Sequence, residues 1–219
     1  MDITNNQALV TGVIADGFTF NHEIYAEKFY TFTLSIPRLS GTDDMVRIMV
    51  SERLLADDSF KIGDTVDIEG QFRSYNSYDA NGDNRLILTI FAKDISHSTG
   101  DQEHNPNTLF LNGFICKKPV FRVTPFGREI TDLLIAVNRS YNKSDYIPVI
   151  AWGRNARYAK NLCVGDNVKI WGRIQSRQYQ KKLSEEEVIT RTAYEVSVNR
   201  MELVKVEEPV HADVGMSVQ

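Results

Sequence analysis

Apolar and polar residues alternate with a period of two through several segments of this chain, a pattern that predicts half-buried β-strands. Residues 30–36 place Tyr, Phe, Leu and Ile at every second position, with Thr or Ser between them. Residues 168–174 alternate Val, Ile or Gly with Lys169, Trp171 and Arg173 in the same way. Each such strand has one apolar face for a core and one polar face for solvent or a ligand.

One of these strands occurs twice. Residues 63–70 read GDTVDIEG and residues 165–172 read GDNVKIWG, and a serine follows each block at the same distance, Ser74 and Ser176. The blocks LSIPR at 34–38 and IAVNR at 135–139 align at nearly the same offset of 101–102 residues. That offset is too long for a solenoid unit and fits a small domain. The sequence therefore predicts a tandem duplication.

Each half contains one segment with a helical pattern. It spans residues 153–162 in the second half, where Ala156, Ala159 and Cys163 fall on one face, and its counterpart is residues 51–60. Three strands, a helix and two further strands is the order of the five-stranded OB barrel. We therefore predict an all-β fold of two tandem five-stranded OB-fold barrels, each with one short helix.

The polar stretch 96–106 has no periodicity and predicts a linker between a first barrel at 1–95 and a second at 107–206. Residues 207–219 are expected to form a flexible tail. The net charge of −4 conceals an asymmetry, because residues 1–104 carry 8 Lys and Arg against 17 Asp and Glu, whereas residues 105–219 carry 17 against 12. A polyanion is therefore repelled by the first half and attracted by the second.

Signatures of catalysis are absent from the sequence. It has no Gly-rich phosphate loop, no Gly-x-Ser-x-Gly elbow and no His-Glu-x-x-His motif, and its two Cys and four His residues are scattered. We expect no enzymatic activity, no metal and no cofactor. No apolar run approaches the roughly 20 residues that cross a bilayer, and the N-terminus lacks the pattern of a secretory signal. A cytoplasmic, nucleoid-associated location without membrane contact is expected.

Positive charge alternates with aromatic rings after Gly165. The residues at odd positions of this strand, and two lysines close to its end, are Lys169, Trp171, Arg173, Gln175, Arg177, Tyr179, Lys181 and Lys182. Rings for bases and cations for phosphates are the two parts of a groove that binds single-stranded nucleic acid. Two alternatives remain open: a bulge at Gly172 would shift the alternation, and Trp171 could instead pack in a subunit interface.

Residues 145–182, with their Trp-Gly turn, short helix and GDNVKIWGRIQSRQY strand, resemble the core of the bacterial single-stranded DNA-binding protein family. The resemblance extends from Asn107 to Val206. It implies sequence-tolerant binding of single-stranded DNA in replication, recombination or repair. It also implies base stacking at four aromatic positions, which fall on Tyr141, Tyr146, Trp152 and Tyr179. We expect Trp171 to serve either DNA or an interface, and we expect phosphate contacts from Arg139, Arg154, Arg157, Lys169, Arg173, Arg177, Lys181 and Lys182.

The first barrel departs from this pattern. Near Tyr141 the alignment places Ser40, and at the other three stacking positions it places Met45, Ser51 and Ser77. Asp67 and Glu69 stand where the second barrel has Lys169 and Trp171. Each lost stack removes roughly 1–3 kcal/mol of binding free energy. We therefore expect the first barrel to be a structural or assembly module that does not bind DNA.

The resemblance also bears on partners. Two-barrel members of the family commonly dimerise to present four barrels, and open strand edges favour such pairing, so we expect a homodimer. The chain ends GMSVQ, without the acidic tip through which family members recruit replication and repair enzymes, which leaves recruitment of such partners open. An alternative hypothesis is a protein-interaction scaffold with weak DNA binding, like the related primosomal replication protein N.

Overall fold

The structure is a computed structural model of the chain and describes residues 5–38, 40–56, 59–78, 84–99, 106–182 and 188–204. The first half contains six strands and one 3-10 turn: β1 Asn6–Ile14, β2 Thr19–Ile24, β3 Glu27–Pro37, β4 Asp43–Ser51, the turn Glu52–Leu55, β5 Thr65–Tyr78 and β6 Asn84–His97. The second half contains six strands and one helix: β7 Asn107–Ile115, β8 Val120–Val123, β9 Glu129–Arg139, β10 Lys143–Trp152, α1 Gly153–Ala159, β11 Asn167–Lys182 and β12 Val188–Leu203.

Backbone pairing closes each half into a ring of five strands. In the first half β1 pairs with β3, β3 with β4, β4 with β6, and β6 with β5, which returns to β1. The second ring runs in the same order through β7, β9, β10, β12 and β11. Apolar side chains from alternate positions fill the rings, among them Phe72 and Ile170. The predicted all-β fold with two tandem OB barrels is confirmed.

We predicted three strands before the helical segment of each half, and the structure has four. β2 and β8 pair only with β3 and β9, so each lies at an edge of the sheet outside the ring. Their side chains are mostly exposed on both faces. A strand without a buried face has no alternation of polarity, which is why the sequence pattern did not predict either one.

The two halves differ in their helical segments. In the second, Ala156 and Ala159 are buried, and α1 covers one end of the barrel with the Thr131 hydroxyl donating to the Ala156 carbonyl at 2.8 Å. In its described residues the first half has only the 3-10 turn Glu52–Leu55 at this place, with Leu55 at the position of Ala156. Leu54 and Leu55 pack against the core from this turn. The prediction of a helix over 51–60 was therefore wrong within its described part.

The segment between the barrels is shorter than predicted. β6 continues to His97, so the first residues of the expected linker belong to a strand. At the other end the Pro106 carbonyl accepts a hydrogen bond of 2.8 Å from the Thr11 amide, directly before β7 begins. Residues 100–105 and the tail 207–219 lie outside the described residues, so the flexible tail stays a prediction.

The barrels are joined by antiparallel pairing of β1 with β7, which merges the two rings into one 12-stranded sheet. Asn6 and Asn107 occupy equivalent positions on either side of this seam. The Asn6 side chain donates to the Phe72 carbonyl at 2.7 Å and accepts from the Phe72 amide at 2.9 Å, and Asn107 bonds Ile174 at the same two distances. Each asparagine thus replaces a missing ladder partner in the buried seam.

Beyond Gly70 and Gly172 the strand pairs β5–β6 and β11–β12 turn away from the central sheet, close the rings through β4 and β10, and continue as two arms, the first arm (residues 71–78 and 84–91) and the second arm (173–182 and 188–197). The pairing register of each shifts at its glycine. A Cβ on Gly172 would lie 2.3 Å from the Ser197 carbonyl oxygen, so the close approach requires glycine. The bulge that was left open at Gly172 is present, but its extra residue lies in β12, so the alternation of β11 stays intact.

Each arm reaches across the seam to a buried aspartate of the other barrel. Asp44 on β4 forms an ion pair with Arg38 and accepts a hydrogen bond of 2.7 Å from the Ser176 amide of the second arm. Asp145 on β10 accepts one of 2.7 Å from the Ser74 amide of the first arm. Burial raises the pKa of the Asp145 carboxyl above its usual range, although the Ser74 hydrogen bonds and the charge of Arg139, 3.4 Å away, act to lower it. Hydrogen bonds to the two aspartates therefore hold the barrels together at two places.

No helix in the described ranges is long and apolar enough to span a membrane.

Replacing Asp44 with asparagine should lower the free energy of unfolding by about 3 kcal/mol or more, because Arg38 and the buried Ser176 amide lose their charged partner. The control is Glu23→Gln, which changes an exposed carboxylate on the edge strand β2 and should shift stability by less than about 0.5 kcal/mol. Urea unfolding followed by tryptophan fluorescence checks both. Equal midpoints for the two variants would show that the Asp44 contact does not fasten the barrels.

Candidate nucleic-acid interface

The outward face of β10 carries two aromatic rings of the second barrel. Along this strand Asp145, Ile147 and Val149 are buried, while Tyr146 is 49% exposed and Trp152 is partly exposed. Six residues of strand separate the two rings by about 20 Å. They are therefore too far apart for one base and could each accept a different base.

Tyr141 lies in the three-residue turn between β9 and β10 and is 94% exposed. Both Tyr141 and Asn142 have positive φ, at 61° and 55°. Such a conformation costs a residue with a Cβ about 1 kcal/mol, and asparagine tolerates it better than tyrosine does. A large ring held in solvent by a strained turn is a feature associated with function.

Trp152 borders a cleft of about 660 Å³ at the end of β10. The cleft is also lined by Arg128 and Arg157, and it is open to solvent beside the first turn of α1. Gly153, which follows with φ of 52°, turns the chain sharply from strand into helix. The backbone thereby exposes part of the indole instead of folding over it.

The second arm supplies cations to the same outward surface. Arg173 and Arg177 alternate with buried or inward residues along β11, as the sequence predicts. Between them Gln175 donates to Glu195 at 2.7 Å, and Glu195 lies 3.6 Å from Arg177. The surface is therefore basic at its edges, with one carboxylate at its centre.

The other predicted phosphate ligands on β9 and α1 differ in their partners. Arg154 is exposed on the helix. Arg157 is exposed but donates to Glu129 at 2.5 Å, and Arg139 approaches the buried Asp145. Arg139 and Arg157 thus share their charge with carboxylates, which reduces what each can contribute to a phosphate.

Lys169 and Trp171 lie on a different surface. They precede the bend at Gly172 and belong to the central sheet formed by β5, β1, β7 and β11. The Trp171 ring lies 5.2 Å from the Phe110 ring, and the Arg200 guanidinium covers it at 4.7 Å. The odd positions of β11 do point outward together, but the bend divides them between two surfaces.

Three predicted site residues cannot be placed in full. Tyr179, Lys181 and Lys182 belong to β11, whose backbone pairs there with β12, while their side chains lie outside the described part of the chain.

Sequence reasoning missed the hairpin between β8 and β9. Phe126 at its tip is 92% exposed, and Arg128 lines the Trp152 cleft. Arg122 on β8 pairs with Asp132, which raises the pKa of its guanidinium. The signal was the segment TPFGRE, a turn with an exposed aromatic beside a glycine. The sequence alone could not assign this turn to the site. Only the pairing of β8 with β9, and of β9 with β10, brings the turn close to Trp152.

Metal binding finds no support in the geometry. Within the described ranges, no three His, Cys, Asp or Glu side chains are grouped as a metal ion would need.

Comparison with known proteins agrees with this geometry. The model of the single-strand binding protein family matches residues 106–204. A single-stranded DNA-binding protein of Clostridium tetani is 36% identical over 83 residues, which cover 35% of this chain and 57% of the relative. Single-stranded DNA-binding protein B of Bacillus subtilis is 31% identical over 35% of this chain and 74% of the relative. The chain spans about half the length of the first curated relatives that it matches.

Similarity of structure extends over both barrels. A deletion variant of the single-stranded DNA-binding protein from Thermus aquaticus superposes with a TM-score of 0.74 over 94% of this chain and 97% of that one, at 19% identity. The wild-type Thermus aquaticus protein gives a TM-score of 0.70 over 93% and 94% of the two chains, at 20% identity. At this identity the likeness concerns the fold, and it confirms the tandem arrangement.

Replacing Tyr141 with glycine should separate binding from stability. The variant relieves the strained φ and should unfold at the same temperature as the wild type or a higher one. It also removes a ring, so its affinity for an oligothymidine of about 30 nucleotides should fall by roughly 1–3 kcal/mol. Anisotropy titration and thermal unfolding provide the two readings. Unchanged affinity would exclude Tyr141 from the interface.

Proposed function

Because the chain belongs to the single-strand binding protein family, we propose that its second barrel binds single-stranded DNA without regard to base sequence. The observation that carries the proposal is the row of open rings, Tyr141, Tyr146 and Trp152, on one side of β10 and its preceding turn. Every base has a flat face, so stacking on such rings discriminates poorly between sequences. The proposal includes Tyr179 as a fourth ring and involves no reaction.

Backbone phosphates are held by the cations beside the rings. Arg154, Arg173 and Arg177 are the outward arginines on α1 and the second arm, and Arg128 adds a cation at the Trp152 cleft. Each phosphate that they neutralise releases a counterion, so the logarithm of affinity should fall with the logarithm of salt by about 0.7 per contact. Duplex DNA should compete poorly, because its bases are already stacked on one another.

We also propose that two copies associate through the outward face of the central sheet. Phe110, Trp171 and the 42% exposed Leu9 form an apolar centre on this face. Such a centre, continuous across the seam, is suited to a second sheet.

Charge selects the orientation of the second copy. Asp67, Glu69 and Asp94 lie on the first barrel's side of the face, while Lys169 and Arg200 lie on the second barrel's side together with Glu202, which forms an ion pair with Arg200. Asp67 and Lys169 lie at opposite ends of the strands of the central sheet. A two-fold axis that runs diagonally across the strands, perpendicular to the line joining these two residues, sets Asp67 of one copy over Lys169 of the other, so that acid faces base. An axis along the line that joins Asp67 and Lys169 would set acid against acid, which is unfavourable.

A second candidate function is that of a protein-interaction scaffold with weak DNA binding. It is favoured by the apolar centre of the central sheet face and the acidic residues on its first-barrel side, which a protein partner could cover in place of a second copy. The two functions differ in what the Trp152 ring does, because a scaffold does not require a base to stack on it.

An oligothymidine of about 30 nucleotides should quench tryptophan fluorescence strongly at low salt. The chain has two tryptophans, so the Trp171→Phe variant isolates the signal of Trp152 and should retain the quench. The Tyr146→Ala/Trp152→Ala double variant should bind the same oligonucleotide well over tenfold more weakly in an anisotropy titration, since two stacks are lost.

A matched control is Tyr158→Ala, which removes a partly exposed ring on α1 that bonds the Leu203 amide instead of facing β10. Its affinity should stay within about twofold of wild type. If Trp171→Phe showed no quench and the double variant bound like the wild type, the scaffold function would replace DNA binding.

Charge reversal tests the dimer and its orientation. Lys169→Glu should weaken association, and adding Asp67→Lys to it should restore association, because the reversed charges again face each other. Light scattering during gel filtration should give twice the 24.9 kDa mass of the chain for the wild type and the double variant. A monomeric wild type would refute the dimer, and a double variant weaker than Lys169→Glu would refute the orientation.

A further inference from the structure

The first barrel carries a cluster of rings and one cation on its own outward face, although its residues at the predicted stacking positions are not aromatic. The Arg73 guanidinium lies 4.6 Å from the centre of the Phe91 ring, which lies 5.7 Å from the Phe29 ring. The His22 ring stacks on Phe29 at 4.9 Å with an interplanar angle of 11°. These four residues, here the His22–Arg73 cluster, form a continuous row over β2, β3, β6 and β5.

This row does not repeat the second barrel's site. In the alignment of the two halves, Phe29 corresponds to Ile130. Phe91 pairs with Gln71 on β5, and the equivalent pair in the second barrel is Ser197 with Arg173 on β11. Neither Ile130 nor Ser197 is aromatic. The second barrel carries its rings on β10 and the turn before it. The first barrel has lost rings from the matching strand, β4, and has gained them on the flanking strands β3 and β6.

Charge on this face also differs from the charge of the first half as a whole. Three arginines, Arg47, Arg73 and Arg85, occupy β4, β5 and β6. Within the described ranges none of them lies within 4.0 Å of a carboxylate, whereas Arg38 and Arg53 of the same barrel do. The acidic residues Asp67 and Glu69 lie on the central sheet, before the bend at Gly70. The face therefore carries three arginines, with Glu27, which accepts from the Ser51 hydroxyl and pairs with Arg53, at its edge beside Phe29.

The seam connects this face to the second barrel. Arg73 and Arg139 border one cleft of about 320 Å³, and both act on the single carboxylate of Asp145. Burial and the charge of Arg139 lower the pKa of the Arg73 guanidinium. Two cations with one buried anion leave an excess positive charge, which a phosphate passing through the cleft would neutralise.

We propose that the His22–Arg73 cluster is a second binding surface for unpaired nucleotides, reached by a strand that leaves the second barrel through the Arg73–Arg139 cleft. Bases stack on Phe29 and Phe91, and Arg73, Arg47 and Arg85 contact phosphates. The inference rests on the proposed binding of single-stranded DNA by the second barrel. It replaces our expectation that the first barrel does not bind.

The test compares a short and a long oligothymidine on the full chain. About 12 nucleotides fill one OB barrel, and about 30 extend over both. The Phe29→Leu/Phe91→Leu variant keeps apolar volume and removes both flat rings. It should bind the long oligonucleotide roughly tenfold or more weakly, occlude fewer nucleotides, and bind the short one within about twofold of wild type. Arg73→Gln should reduce the salt slope for the long oligonucleotide by about 0.7.

Phe20→Leu is the matched control, because Phe20 lies on the same hairpin, is 55% exposed and contacts Tyr30 instead of the cluster. It should bind both lengths like the wild type, and equal unfolding temperatures should show that all variants are folded. If the double variant and Arg73→Gln bind the long oligonucleotide as the wild type does, the second surface is refuted while the proposed function stands. If the wild type binds neither length, both are refuted.

Discussion

Pairing of β1 with β7 is the interaction on which the rest of this molecule depends. A strand at the edge of a sheet exposes a row of amides and carbonyls that must be paired or hydrated. Here each barrel provides the edge partner of the other, and Asn6 and Asn107 satisfy the remaining groups where the ladder ends. Once the seam forms, the position of every surface strand in one barrel is fixed relative to the other.

The seam also explains why the arms can act across it. Because the barrels are related by near two-fold symmetry, the first arm lies over β10 and the second over β4. The Tyr146 amide donates to the Ser74 hydroxyl at 2.7 Å, so the first barrel positions the backbone beneath a predicted stacking ring of the second. A barrel that has lost rings at the expected positions can therefore still support the site structurally. Two barrels that did not contact each other could not support the site in this way.

Much of the architecture followed from the sequence because it depends on local periodicity. Alternation predicted the outward positions of Arg173 and Arg177, and the repeated GD-x-V-x-I-x-G block predicted the two barrels. The edge strands β2 and β8 were missed because neither has a buried face. The His22–Arg73 cluster and the position of Arg128 in the Trp152 cleft were missed for another reason. Their members are far apart in sequence, so only the pairing of strands brings them together, and no periodicity records which strands pair.

A count of charges over the first half proved a poor guide to its surfaces because it averages over faces that the fold separates. Asp67 and Arg73 belong to the same strand, β5, and both point outward. The bend at Gly70 lies between them, where any Cβ would meet the Phe91 carbonyl oxygen at 2.4 Å. Before the bend the strand belongs to the central sheet, and after it to the arm. One glycine thus directs carboxylates to a surface suited to a protein copy and arginines to a surface suited to phosphates. The same division at Gly172 separates Trp171 from Arg177, so each barrel presents two chemically distinct faces from a single pair of strands.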